Sequence, residues 1–176
     1  MSARHTRLRP IPVFLAAVIS LSAAGVTAAP LPKGATTLRE EYGSWQVLCA
    51  AKDQTTRCVM QQIQIDAKSQ QRLLTIELGG VDNGVLSGGM VMPFGLDLQK
   101  DVSIGFANGK PLRVFPFSTC LPAGCIVPIE FGEEDIAALR ENATLEISAT
   151  ANGDKSTINF PVSLEGFAAA LDRLAD

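Results

Sequence analysis

The stretch SWQVLCAAKDQTTRCVMQQIQID, residues 44–66, contains two segments in which the side chains alternate in character. In the first segment, 44–50, the alternate positions Trp45, Val47 and Cys49 fall on one side of an extended chain. In the second segment, 57–66, one side carries Val59, Ile63 and Ile65, and the other carries Cys58, Met60, Gln62 and Gln64. A period of two is typical of a strand with one buried face. The stretch therefore predicts two neighbouring β-strands.

The same period recurs along the rest of the chain. Seven further runs bounded by turn residues fit strands, at 74–78, 85–92, 102–107, 112–114, 126–131, 145–150 and 158–162. Asn108-Gly109 predicts a tight hairpin, because both residues tolerate a positive φ. Gly79-Gly80 and Gly88-Gly89 predict bulges or bends in their strands. Eight or nine short strands at a spacing of roughly ten residues predict a mainly β fold, either a sandwich or a barrel.

Two segments with helical spacing interrupt the strands. The first is short and runs from Glu133 to Glu141, with the acids Glu133, Glu134 and Asp135 in its first turn. Calcium binding is one interpretation of these acids, and attraction to the positive end of the helix dipole is the favoured one. The second segment runs from Leu164 to Leu174 with Ser163 as its N-cap. Its apolar side chains Phe167, Leu171 and Leu174 fall on one side of the helix, and we expect this apolar stripe to pack against the core.

Residues 1–28 have the three parts of a secretory signal. A basic start precedes the uncharged apolar run 13–26, and cleavage is expected between Ala28 and Ala29. The alternative is a membrane anchor, for which the apolar run is short against a hydrocarbon core about 30 Å thick. We therefore expect a signal peptide at 1–28, a flexible N-terminal arm at 29–38 and a single domain at 39–176. We expect the mature chain to have no transmembrane segment and to reside in the periplasm, with the cell surface or secretion as alternatives.

Removal of the signal makes the chain more acidic, from a net charge of −3 for the whole sequence. It takes three Arg and no acid from the 15 Lys+Arg and 18 Asp+Glu of the whole chain, which leaves 12 against 18 and a net charge of −6. This charge argues against nucleic acid as a partner, since phosphates require a basic surface. The single histidine, His5, lies in the signal. Its removal excludes Ser-His-Asp and Cys-His catalysis in their usual forms, and zinc or copper sites that use histidine.

The four cysteines form two close pairs, Cys49/Cys58 and Cys120/Cys125. We favour structural disulfides Cys49–Cys58 and Cys120–Cys125, which brace turns between strands in an oxidising compartment. A redox site and a four-thiolate zinc site are alternatives. The first needs a Cys-x-x-Cys spacing at a helix N-terminus, and the second needs reduced cysteines. The cysteine spacings here do not match the redox motif, and an oxidising compartment disfavours the reduced cysteines that the zinc site needs.

Other candidate sites rest on single side chains or loose groups. Trp45 predicts a buried strand residue, with a ligand-stacking platform as the alternative. Asp97 and Asp101, near Lys100, could form an acid–base pair, although solvated loop charges are the favoured interpretation. A carboxylate-based enzyme would have to draw on a scattered set of acids: Asp66, Asp82, Asp97, Asp101, Glu130, Glu133, Glu134 and Asp135.

Several fragments carry a family resemblance. They are GSWQVLC at 43–49 followed by CVM at 58–60, MPFGL at 92–96, FPFSTC at 115–120 and VSLEGFAAAL at 162–171. Four cysteines in this order, with these flanks, resemble the invasion-associated locus B family of exported Gram-negative bacterial proteins. The resemblance covers about residues 40 to 174. Ser44 departs from the acidic residue expected between Gly and Trp, which puts no chemistry in doubt because that position has no known catalytic role.

The resemblance implies an immunoglobulin-like antiparallel β-sandwich in the periplasm or at the cell surface, with a loose link to host-cell invasion. It brings no catalytic, cofactor-binding or metal-binding residue, and we expect none. The favoured hypothesis is a non-enzymatic binding or accessory domain of the cell envelope, with an unknown envelope or host-surface protein or glycan as its partner. The alternatives are a surface factor that promotes attachment to or invasion of host cells, and a carboxylate-based envelope hydrolase.

Overall fold

The computed structural model describes residues 31, 35–52 and 55–175. The expected signal peptide and its cleavage site lie outside these residues. In chain order the strands are β1 Thr37–Tyr42, β2 Trp45–Lys52, β3 Thr55–Ile65, β4 Arg72–Asp82, β5 Val85–Met92, β6 Val102–Phe106, β7 Pro111–Phe115, β8 Thr119–Leu121, β9 Gly124–Phe131, β10 Thr144–Thr150 and β11 Thr157–Ser163. The helices are α1 Glu133–Glu141, between β9 and β10, and α2 Phe167–Ala175, after β11. None of the described helices has the length and apolar character needed to cross a bilayer.

The strands form two antiparallel sheets, which confirms a sandwich rather than a barrel. The large sheet has the order β1-β2-β3-β4-β5-β9-β8, and the small sheet has the order β11-β10-β6-β7. The first five strands follow one another in space as they do in sequence, because each is joined to the next by a hairpin. All nine strands predicted from the sequence are present.

Two strands were not predicted. β8 has only three residues, too few to show a period. β1 has a polar sequence, TLREEY, and begins at Thr37, two residues inside the predicted flexible arm. Leu31, also from the predicted arm, is buried in the core. The large sheet thus extends one strand further toward the N-terminus than the boundary at residue 39 implies.

The buried side of β3 carries Met60 and Gln62, while Ile63 and Ile65 are exposed. The side with more aliphatic residues therefore faces away from the small sheet. Register explains this orientation: Met60 lies opposite Val47 of β2 and Leu78 of β4, both of which are buried. Directly opposed residues of adjacent strands lie on the same face of the sheet. The register with β2 and β4 therefore decides which side of β3 is buried, even though the other side has more aliphatic residues.

The helices differ in how well the sequence placed them. α1 spans the predicted residues. The predicted start of α2 at Leu164 is wrong, because the helix begins at Phe167 and Ser163 ends β11 instead of capping the helix. Gly166 has φ +82°, a left-handed conformation that interrupts a helix before Phe167. Phe167 and Leu171 are buried and Leu174 is partly buried against the core, as the stripe predicted.

The predicted hairpin turn and one of the two predicted bulges are present, and the turn differs in form from the prediction. In the hairpin between β6 and β7 only Gly109 takes a positive φ, +83°, so its loop has three residues and not the tight two-residue form. The pairing of β4 with β5 shifts register between Leu78 and Val81, at Gly79-Gly80. Gly88 and Gly89 pair in regular register with β4 and β9, so the bulge predicted at this pair is not found there. A Cβ at Gly88 would still lie 2.0 Å from the carbonyl oxygen of Glu77, so this position requires glycine.

Candidate functional site

Of the candidate carboxylates, Asp66 and Asp97 make hydrogen bonds or ion pairs with nearby residues, and three others are exposed and lie apart. Asp66 caps its own turn, accepting hydrogen bonds from the Ser69 N–H at 2.7 Å and the Ser69 hydroxyl at 2.8 Å, and these bonds lower the pKa of its carboxyl. Asp97 accepts a hydrogen bond from Lys155 Nζ at 3.0 Å, which lowers the pKa of Asp97. Its ionic partner is therefore Lys155 and not a second carboxylate. Asp82, Asp101 and Glu130 are exposed, each in a different element or turn.

In the acidic first turn of α1, Asp135 stabilises the start of the helix. Asp135 is buried, accepts a hydrogen bond from the Gly132 N–H at 3.1 Å and pairs with Arg113 Nε of β7 at 2.8 Å. Its negative charge therefore links α1 to the small sheet through Arg113 and stabilises the positive N-terminal end of the helix dipole. Glu133 and Glu134 point to solvent. Among residues 31, 35–52 and 55–175, no three His, Cys, Asp or Glu side chains gather as metal ligands would.

Trp45 is a core residue and not a ligand platform. It is 1% exposed, packs edge-on to Phe167 at 5.4 Å between ring centroids, and donates from Nε1 to the Ser163 carbonyl at 3.0 Å. Gln62 Nε2 donates to the same carbonyl at 2.9 Å. The space beside Trp45 amounts to about 10 Å³. Such a space holds at most one water, so the interior at this point cannot take an organic ligand.

The two cysteine pairs form disulfides between directly opposed strand residues. Cys49–Cys58 joins β2 to β3, and Cys120–Cys125 joins β8 to β9. Both are cross-strand braces, and none of the four cysteines is free. Disulfide-bonded sulfur has no thiolate to offer, so neither pair can act as a zinc site in this state.

The feature that stands out is a group of apolar side chains on the outer face of the large sheet, the face turned away from the small sheet. One cross-strand row runs Ile63, Thr75, Val91, Ile126 and Thr119 through β3, β4, β5, β9 and β8. Each pair in the row is directly opposed, so the side chains lie in contact range. The row is therefore a continuous band of β-branched residues across five strands.

The next positions on the same face extend this band toward one end of the sheet. Ile65, Leu73 and Leu121 lie there, at the ends of β3, β4 and β8. Four of these residues are among the large apolar side chains exposed in the described chain: Ile63 at 41%, Ile65 at 55%, Leu73 at 37% and Leu121 at 53%. We call the group of Ile63, Ile65, Leu73, Val91, Leu121 and Ile126 the outer patch. Thr75 lies within it, 8% exposed, with a buried hydroxyl that has no hydrogen-bond partner among the described residues.

Sequence reasoning missed the outer patch because it depends on register. The alternation of β3 places Ile63 and Ile65 on one side of the strand, but the pattern of one strand does not tell which side is buried. Leu73 and Leu121 come from strand ends that are far apart in the chain. Contiguous exposed apolar surface is unusual on a soluble protein and marks contact with another molecule.

Comparison with known proteins places the chain in a family. Residues 45–175 match the family described as "Invasion associated locus B (IalB) protein". The chain is 43% identical over 155 residues to an Invasion protein B homolog of Brucella abortus (strain 2308), covering 88% of this chain and 89% of that protein. It is 35% identical over 149 residues to Invasion protein B of Bartonella bacilliformis, covering 83% and 79%.

The fold is matched by a solved structure. The crystal structure of invasion associated protein B from Bartonella henselae superimposes with a TM-score of 0.73 at 32% identity, covering 78% of this chain and 95% of that one. The family match runs from the strand that carries Trp45 to the last helix. The chain therefore belongs to the invasion associated locus B family.

Proposed function

We propose that this protein is a non-enzymatic binding protein of the bacterial cell envelope, and that it holds a partner protein with an apolar contact surface against the outer patch. The outer patch is the observation that carries the proposal. Single apolar side chains on a surface are ordinary, whereas a contiguous group rimmed by polar residues is typical of an interface. The rim here includes Gln61 and Glu77, which form the next pair on the same face after Ile63 and Thr75.

The chemistry of the remaining surface favours binding over catalysis. Asp66, Asp97 and Asp135 have their charges satisfied by turn, ion-pair and helix-cap contacts. A carboxylate enzyme needs at least two acids poised on one reacting bond, with pKa values separated by their surroundings. The relatives in Brucella and Bartonella are also named as invasion proteins and not as enzymes.

Residence in the envelope rests on the expected signal at residues 1–28 and on the two disulfides. Disulfides persist in the periplasm and outside the cell, and are rare in the reducing cytosol. Fractionation of cells expressing the full chain tests this part. Release of the protein with the periplasmic fraction is the expected result, and retention in the cytosol with uncleaved residues 1–28 would refute it.

Affinity capture from solubilised envelopes tests the binding role. Wild-type protein is compared with Ile63→Ser/Ile65→Ser, and with Val114→Ser as the matched control. Val114 is 60% exposed and belongs to β7 of the small sheet, so it tests loss of an exposed β-branched side chain away from the patch. We expect the double variant to lose the captured partner by about tenfold or more, as interface anchors do, and the control to retain it. Equal capture by all three proteins would refute the outer patch as the binding surface.

A second candidate function is promotion of host-cell invasion from outside the outer membrane. The names of the Brucella and Bartonella relatives favour it. It requires exposure on the cell surface, which protease treatment of intact cells measures. Cleavage of the protein on intact cells would support this function, and full protection until the outer membrane is opened would refute it.

A further inference from the structure

Strand β1 forms one edge of the large sheet. In the described chain it pairs with β2 and with no other strand. The three other sheet edges carry features that discourage pairing: β8 has three residues, β7 begins with Pro111, and β11 has Pro161 within it. Short strands, prolines and charged side chains are ways in which proteins blunt their edges. β1 has six residues and no proline, and its three charged residues include both signs, so a strand of matching charge can pair with it.

The free backbone groups of β1 belong to its odd-numbered residues. The Ala51 N–H donates to the Thr36 carbonyl at 2.8 Å, so Thr36 and Ala51 form a hydrogen-bonded pair. Such pairs alternate along an antiparallel ladder, so Leu38, Glu40 and Tyr42 also bond to β2. The N–H and C=O groups of residues 37, 39 and 41 therefore point away from β2, toward the open edge.

The side chains of β1 are complementary to a second copy of themselves. Suppose an antiparallel copy pairs so that Arg39 lies opposite Glu41 of its partner. The free backbone N–H and C=O groups of residues 39 and 41 then form hydrogen-bonded pairs between the two copies. Arg39 of each copy is attracted to Glu41 of the other, and Leu38 lies opposite Tyr42. A shift of two residues in one direction would oppose Arg39 to itself, and in the other direction Glu41 to itself. Only the first register combines matched backbone groups with matched charges.

The residue on the two-fold axis of this register is Glu40, which would face its own copy. Its charge is already compensated within each chain, because Arg173 Nε of α2 lies 2.7 Å from Glu40 Oε2. Arg39 and Glu41, by contrast, have side chains that are 61% and 73% exposed, with a contact of only 4.0 Å between them. They are free to pair across the edge without breaking a close contact.

We propose that this protein self-associates as a two-fold dimer through β1, with Arg39 of each copy opposite Glu41 of the other. The large sheets of the two copies then join into one continuous sheet. A two-fold interface uses the same surface on both copies, as this register requires. The β1 edge and the outer patch involve different residues, so the dimer leaves the outer patch free for another partner.

Charge reversal tests the dimer by sedimentation over a concentration series from micromolar to millimolar. We expect reversible dimerisation of the wild type. Arg39→Glu and Glu41→Arg should each weaken it by roughly tenfold or more, since attraction becomes repulsion at two pairs. An equimolar mixture of the two single variants should associate again, because each copy then meets opposite charges. Circular dichroism checks that both variants are folded.

A single cysteine tests the register. Only residue 40 meets its own copy, so Glu40→Cys should form a covalent dimer under mild oxidation, as directly opposed cysteines do elsewhere in this chain. Glu41→Cys, one residue away, should remain uncrosslinked. A wild type that stays monomeric throughout the series, or single variants that dimerise as well as the wild type, would overturn the proposal. Because Ile63→Ser/Ile65→Ser should leave dimerisation unchanged, failure of the dimer is distinguishable from failure of the outer patch.

Discussion

Thr75 is the one polar residue that the outer patch buries. Its hydroxyl lies between Ile63 and Val91 in the cross-strand row and lacks a hydrogen-bond partner among the described residues. An unsatisfied buried hydroxyl costs free energy that a methyl group of the same shape does not. Thr75 is thus a point at which the fold carries a small cost on the face that we propose for binding.

Replacement of this hydroxyl should stabilise the protein. For Thr75→Val we expect an increase of about 1 kcal/mol in the free energy of unfolding, because the variant keeps the β-branched shape and removes an unpaired polar group. Thr119→Val, in the same row but exposed, is the control and should change little. Urea denaturation measures both, and destabilisation by Thr75→Val would contradict the unpaired state of the hydroxyl.

Gly166 and Gly109 separate two reasons for needing glycine. Both have a positive φ, +82° and +83°, but a Cβ at Gly166 would lie 1.9 Å from the Tyr42 carbonyl oxygen, whereas nothing lies within 4 Å at Gly109. We expect Gly109→Ala to cost about 1–2 kcal/mol from backbone strain alone. Gly166→Ala should cost clearly more, since β1 must also move. Equal losses in thermal or urea unfolding would show that the close approach of the two chain segments is not needed.

Because of the ion pair between Asp97 and Lys155, the free energy of unfolding should depend on pH in the acid range. The hydrogen bond from Lys155 lowers the pKa of Asp97 below its ordinary value of 3.8, so its stabilising contribution is full above that pH and lost as pH falls through the folded-state pKa. Asp97→Asn should therefore be less stable than the wild type at neutral pH, with a difference that shrinks below about pH 3.8. Unfolding at a series of pH values measures it, with the exposed Asp101→Asn as control. A difference that is constant down to strongly acidic pH would contradict this role.

At the scale of elements, the sequence predicted what depends on local periodicity. The nine strands with clear alternation, and α1 with its acidic first turn, are where the pattern placed them. β1 was missed because its alternation is between charged and half-buried residues, and burial there comes from the neighbouring strand and α2. The start of α2 was misplaced because Leu164 fits the apolar stripe, while the conformation of Gly166 depends on the approach of Tyr42 from β1.

The two disulfides brace elements that differ in burial. Cys49 and Cys125 are each 3% exposed, but their partners differ: Cys58 is half-buried against the core, whereas Cys120 is exposed in the short edge strand β8. Chain-entropy estimates give about 2–3 kcal/mol for loops of this length. We expect Cys49→Ala/Cys58→Ala to cost more than Cys120→Ala/Cys125→Ala, because both sulfurs of the first disulfide pack against the interior and only Cys125 of the second is buried. Urea unfolding under oxidising conditions measures both, and a larger loss for the Cys120–Cys125 variant would contradict the assignment of core packing.

At the scale of the whole molecule, the candidate site could not be read from the chain. The outer patch unites residues from five strands, and its continuity follows from the register of Ile63, Thr75, Val91 and Ile126. The open edge at β1 likewise depends on which strands end each sheet. The family resemblance and the cysteine pairs were accessible from sequence because they lie in contiguous fragments. A surface used for binding is a property of the assembled sheets.

Site-specific photocrosslinking in living cells tests the central claim most directly. A photoreactive side chain is placed at Ile65 in the outer patch, or at Val114 on the small sheet as control, and illuminated cells are analysed for covalent adducts of the protein. We expect a discrete heterologous adduct from position 65 and none from position 114. Absence of an adduct at position 65, or the same adducts from both positions, would contradict binding through the outer patch.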